Sequence, residues 1–192
     1  MKLAAAVLLA ACAVLAAPTT ARRPPRAPAL MPADTPVPVF PGPEFRPPPM
    51  ARGAEIHGLL CVDMPRPGFT MHLEVFARGH VVAVPAGLGV TPPRRLMGQH
   101  VVGGGCRYPI YSLEPTGLIH VARRGLTLGD LFAVWGHALS AIRVASFRST
   151  KPVRVYVDGH PFHGPPGDVP LRPGSEVVVR LDPTIPASSG QA

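Results

Sequence analysis

The chain has 192 residues, 27 of them proline and 20 glycine, and carries a formal charge of +8 with only 11 acidic side chains. Its arginines are scattered or paired, as at Arg94-Arg95 and Arg123-Arg124, without the interleaved aromatic residues that stack nucleobases. The balance therefore argues against nucleic acid and for attraction to anionic envelope polymers or a membrane surface.

Residues 1–21 read as a secretory signal: Lys2 is followed by an unbroken apolar or small stretch too short to span a bilayer comfortably. Small residues at Val14-Leu15-Ala16 and Thr19-Thr20-Ala21 suit ordinary cleavage, whereas Leu9-Ala10-Ala11-Cys12 spells a lipobox that would make Cys12 the lipidated first residue. Both outcomes place the mature chain outside the cytoplasm, in the periplasm, on the extracytoplasmic face or released. Residues 22–54 follow as a disordered tether. With 11 prolines among residues 22–50, too many amides are lost and too many φ angles fixed for helix or sheet. At about 3.1 Å per residue such a segment reaches roughly 90 Å.

Residues 55–183 have the length of one ordinary domain, and residues 184–192 form a small, polar, disordered tail. Two cysteines remain in the domain, Cys61 and Cys106, and an exported chain favours a disulfide between them. Two thiolate metal ligands would be the competing use, without the close CxxC spacing of structural zinc sites.

Along the domain, residues 71–77 alternate as a half-buried strand, and Arg78-Gly79 turns into a second strand over 80–85, making a first hairpin. Residues 86–105, with six glycines and Pro92-Pro93, read as a long irregular loop, pinned at its far end by Cys106. A short strand over 118–122 precedes the best helix signal, residues 127–136. There Thr127 caps, Asp130 returns the bond, Gly136 stops the helix, and Leu128, Leu131, Phe132 and Trp135 make one apolar face. Trp135 is expected to pack in the core rather than stack on a ligand. A strand is expected over 141–147. Residues 153–157 meet Asp158-Gly159, the turn of a second hairpin, and Pro173-Gly174 precedes a last strand over 176–181. The expected fold is α+β, a mainly antiparallel sheet built from two hairpins with one short helix, of β-grasp type.

Eight histidines raise the question of a copper or zinc site. His72 and His120 lie on the less aliphatic faces of their strands and would converge if those strands are neighbours, with Tyr111 and Glu114 as the natural further donors. His160 and His163 point to opposite faces of a strand, and His57, His80, His100 and His137 stand alone in turns or loops. Catalytic patterns are absent from the sequence: it has no GxSxG elbow, no HExxH and no phosphate-cradling loop followed by lysine. Glu74, Glu114 and Asp130 are acids that only folding could pair.

Five segments in order also carry a resemblance: Val84-Pro85-Ala86-Gly87-Leu88-Gly89-Val90, Cys106-Arg107-Tyr108-Pro109-Ile110-Tyr111, Thr116-Gly117-Leu118-Ile119-His120-Val121, residues 127–136 and residues 153–168. Together the domain resembles a family of uncharacterised exported bacterial domains that has no established activity to transfer. In that family a His-x-His-x-His-Leu segment stands where this chain has residues 68–73, and His-Thr-His-Asp stands at residues 111–114. The resemblance implies a metal cluster in the family, of which this chain keeps only His72 and His120 at matching positions, with Tyr111, Leu113 and Glu114 in place of the second cluster. The expected function is an exported, non-catalytic binding domain at the cell envelope whose partner is a protein or envelope component. The alternative is a divergent copper- or zinc-binding module around His72 and His120.

Overall fold

Nine residues of alternating character, Phe69–Ala77, form the strand on which the fold is built. Met71, Leu73, Val75 and Ala77 are buried on one side, and His72, Glu74 and Phe76 stay half-buried on the other. The computed structural model describes residues 54–63, 65–66 and 68–182, with the backbone of Val39–Phe40. The signal segment with Cys12, the tail 184–192 and all of the tether except Val39–Phe40 and Ala54 lie outside the described residues.

In chain order the strands are β1 (Val39–Phe40), β2 (Glu55–Ile56), β3 (Leu59–Leu60), β4 (Phe69–Ala77), β5 (His80–Val82), β6 (Arg95–Met97), β7 (His100–Gly103), β8 (Ile110–Tyr111) and β9 (Leu118–Val121). Helix α1 (Leu128–Trp135) follows, and then β10 (Leu139–Ser140), β11 (Arg143–Val144), β12 (Phe147–Arg148), β13 (Arg154–Val157), β14 (His160–Phe162) and β15 (Glu176–Leu181). The main sheet runs β1-β5-β4-β15-β13-β14. Hairpins β4–β5 and β13–β14 are antiparallel, and β15 enters between them, parallel to β4 over His72–Ala77 and antiparallel to β13. Hairpin, helix, hairpin and a last strand returning to the middle is a β-grasp-like arrangement, in an α+β fold whose sheet is mainly antiparallel. Both hairpin turns use two residues at positive φ, Arg78-Gly79 and Asp158-Gly159, whose twist matches that of the flanking strands.

Helix α1 covers the buried face. Thr127 Oγ1 accepts from the Asp130 amide, the Asp130 carboxylate accepts from the Thr127 amide, and Gly136 ends the helix in the left-handed conformation. Leu128, Leu131, Phe132 and Trp135 enter one core with Met71, Leu73, Val75, Val177 and Val179, and Trp135 is 1% exposed. Burying such a ring and its neighbours is the main force that holds helix to sheet.

Three expectations change. The stretch 86–105 is not wholly irregular: Leu96 and Met97 pair with Val101 and His100 as the hairpin β6–β7, turned by Gly98 at φ 61° and Gln99. Its remaining glycines serve close packing, since a Cβ on Gly103 would fall 2.6 Å from the Arg95 guanidinium and one on Gly104 2.8 Å from the Thr91 carbonyl oxygen. The strand expected over 141–147 is instead a meander of two-residue strands, β10–β11–β12, because Ala145 at φ 51° and the Ser140 side chain bonding the Ile142 amide bend the chain twice. Within the proline-rich stretch, Val39–Phe40 pairs in parallel with β5, so the tether includes a short strand between Pro38 and Pro41.

Candidate functional site

Strand β4 has two different neighbours along one edge. Residues Phe69–His72 pair with β9, and Phe76–Ala77 pair with β5. Between them the edge forks: the Leu73 amide reaches the Gly117 carbonyl at 2.9 Å, and among the described residues Glu74 and Val75 have no strand partner on that side. A cleft of about 290 Å³ opens at the fork, lined by His72, Glu74 and Phe76, by Val82–Val84 and by Thr116–Gly117. Gly117 is required there. Its φ is 80°, and a Cβ would fall 2.5 Å from the Leu73 oxygen and 3.0 Å from His72 Nε2.

The fork exists because residues 83–117 are inserted between β5 and β9, and Val84, Leu88, Tyr108 and Ile110 of this insertion enter the main core. Val90, Val101 and Tyr111 make a second, smaller core there, with Ala86 and Leu113 against it. The Cys61–Cys106 disulfide, Cα to Cα 5.6 Å, ties this insertion to the β2–β3 hairpin. Arg107 exchanges backbone bonds of 2.9 and 2.7 Å with Val62 beside it.

The histidine expectation can be read directly from strand register. Thr70 is opposite His120, and His120 is opposite Tyr111, so the three form one row across β4, β9 and β8 on the outer face. His72 lies on the same face at the diagonal position, opposite Leu118. The Tyr111 and His120 rings stack at 4.9 Å and 10°, and the Arg107 guanidinium sits over the Tyr111 ring at 5.2 Å. Glu114 comes within 4.0 Å of His100 Nδ1.

These contacts decide what each imidazole can do. His72 Nε2 lies 2.9 Å from the Thr116 carbonyl, an acceptor only, so that nitrogen carries a proton and is spent on the loop. His120 Nδ1 is buried without a hydrogen-bond partner. Burial holds the His120 ring below the ordinary imidazole range; Glu114 pulls it up, and Arg107 and His100 push it down. Among the described residues no three of His, Cys, Asp and Glu are grouped as a metal site would need. The set of four expected donors is therefore only partly assembled: Tyr111 and His120 touch, Glu114 acts on His120 through its charge, and His72 is engaged elsewhere.

His100 and Arg107 belong to this cluster although the sequence marks neither. His100 follows the unrecognised Gly98-Gln99 turn, and Arg107 follows the disulfide half that fixes its height over Tyr111. Three other acids serve local structure: Asp130 caps α1, Asp158 accepts from the Glu176 amide, and Asp182 pairs with Arg154 and Arg180. His57 approaches Asp130 at 3.7 Å while 64% exposed. Among the described residues no helix is long and apolar enough to cross a membrane. No protein-family model, curated protein or solved structure matches this chain.

Proposed function

We propose that this chain is an exported binding domain of the cell envelope, without catalytic chemistry of its own, that takes a ligand or partner segment in the cleft beside β4. The observation that carries the reading is the fork itself: an open cleft bounded by a strand edge without a partner among the described residues and by apolar side chains, with Glu74, His72 and Thr116 as its polar side chains. An exposed stretch of strand edge offers backbone bonding to an extended segment, and side chains above it supply selectivity. Export is supported by the disulfide, which persists in oxidising compartments, and by the signal-like leader.

The test is in the producing cell. A photo-reactive amino acid replacing Glu74 is expected to give a discrete adduct, while Cys61 and Cys106 resist alkylation until reductant is added. Two free thiols in protein from intact cells, or adducts identical to those obtained from position 168, would overturn the reading. The alternative, a divergent copper or zinc module, is favoured by the meeting of His120, Tyr111, Glu114 and His100 on one face. Calorimetric titration with Cu(II) and Zn(II) separates the two: heat that vanishes in a His72→Ala, His120→Ala double variant supports the metal module, and equal traces remove it.

A further inference from the structure

Among the described residues the β6–β7 hairpin pairs with no further strand, and it carries apolar side chains into solvent. Leu96 is 64% exposed, Met97 71% and Val102 44%, although Val101, opposite Leu96, is buried in the small outer core. The hairpin is thus anchored by one side chain and displays its neighbours. Arg94 Nε donates to the Val90 carbonyl at 2.7 Å and pins the base, and Arg95 lies across Gly103 on the facing strand. Two large apolar residues beside the exposed Arg95 have the chemistry of a side that enters lipid.

Charge points to the same occupant. Residues 75–113 contain no acid, Arg94 and Arg95 stand at the base of the hairpin, and among the described residues the one carboxylate that reaches it is Glu114, 4.0 Å from His100. The exposed patch is far smaller than the roughly 800 Å² per partner that a stable protein interface takes. Shallow insertion of apolar side chains needs no such area when a basic group beside them adds attraction to anionic lipid. We infer that the β6–β7 hairpin docks on an anionic lipid surface, with Leu96 and Met97 entering the interface and Arg95 meeting lipid phosphate. This rests on the exported reading above and names a partner and a surface that the reading leaves open.

The experiment uses the exported chain carrying Cys12→Ser, so that no acyl group anchors it, floated with vesicles of phosphatidylglycerol and phosphatidylcholine or of phosphatidylcholine alone. Flotation with the anionic vesicles only is expected, weakened roughly tenfold or more by Leu96→Ser with Met97→Ser, because two insertable side chains are lost. Arg95→Ala should weaken it less, and salt should weaken it further. A Leu96→Trp variant gives a second readout. Trp135 is buried, so a blue shift on adding anionic vesicles belongs to the new ring. Absence of flotation, equal flotation of the double serine variant, or self-association that the serines abolish would each overturn the proposal. Failure here with the Glu74 adduct intact removes the lipid contact alone, whereas two free thiols in the cell remove the exported reading beneath it.

Discussion

Replacing both Cys61 and Cys106 with alanine should destabilise the domain by about 4 kcal/mol, mainly through the unfolded chain. The bond joins residues separated by 45 positions. In the loop-closure model a ring of that size removes about 13 cal/mol/K from the unfolded ensemble, or about 4 kcal/mol at 25 °C. The native state should lose little besides. Val62 and Arg107 hold the two segments together by paired backbone bonds, and Thr91 Oγ1 accepts from the Cys106 amide at 2.8 Å whatever the side chain at 106. Buried Cys106 leaves a small void, which adds to the loss rather than opposing it. Since such domains are stable by roughly 5–15 kcal/mol, the change is a large fraction of the whole. Urea unfolding followed by Trp135 emission measures it, because that ring moves from a dry core to water. With a slope near 2 kcal/mol/M, the midpoint should fall by about 2 M. Wild-type protein unfolded in reductant should match the double variant. A midpoint within about 0.5 M of the oxidised protein would refute the reasoning, because the ring would then be constraining an ensemble already held together.

Gly89→Ala should cost about 3 kcal/mol or more by the same assay, since φ is 68° and the new Cβ would fall 2.0 Å from the Ile110 carbonyl oxygen; a loss under 1 kcal/mol would mean that the insertion shifts freely. Thr127→Ala should cost about 1 kcal/mol and Thr127→Ser much less, because the Thr127 hydroxyl that accepts from the Asp130 amide caps the start of the helix. The folded state holds His120 below its ordinary value, so the unfolded chain takes up the proton first as pH falls. The stability contributed by neutral His120 is full above about pH 6.5 and declines as pH drops toward the lower folded value. His120→Gln should flatten that part of a stability-against-pH curve; superimposable slopes would show that the ring titrates as in water.

What could be read from sequence was local chemistry with a fixed geometry. Thr127, Asp130 and Gly136 bound a helix through their own hydrogen bonds, Asp158-Gly159 and Arg78-Gly79 turn without help from the rest of the chain, and the alternation through β4 assigns His72 to the outer face. These signals place two hairpins around one helix, which is most of the fold. The two-residue strands between 139 and 148 escaped because so few residues carry no period, and β6–β7 escaped because Gly103 to Gly105 look like flexible chain while they are close-packed against Arg95, Thr91 and Pro92. The cluster was half legible. Parity within each strand places His72 and His120 on one face, but only register shows that Tyr111 and Thr70 flank His120 and that Thr116 claims His72. The fork in the β4 edge had no local signature at all, because it depends on where two strands distant in sequence stop pairing.

The position of the disulfide bears on which parts of the molecule need holding. Cys61 precedes β4 and Cys106 lies in the insertion, so the bond joins two elaborations and neither strand of the central β4–β15 pair. The central pair and α1 share one continuous core that includes Trp135, Phe132 and Met71 and takes Val84, Leu88, Tyr108 and Ile110 from the insertion, whereas the separate cluster of the insertion has three buried residues, Val90, Val101 and Tyr111. A core that small cannot offset the conformational entropy of some thirty ordered residues at roughly 1–2 kcal/mol each for the backbone alone. Packing on the sheet supplies part of the deficit, and the covalent ring lowers it from the unfolded side. The same insertion bounds the cleft at Thr116–Gly117 and projects Leu96 and Met97. Under the binding role proposed above, covalent stabilisation therefore falls where recognition would be borne, and reduction should disorder the hairpin before it unfolds the helix. Hydrogen exchange on reduced protein tests that order: fast exchange at the Val101 and Thr91 amides with protection retained at Leu131 would fit, and simultaneous loss would place the insertion inside the main cooperative unit.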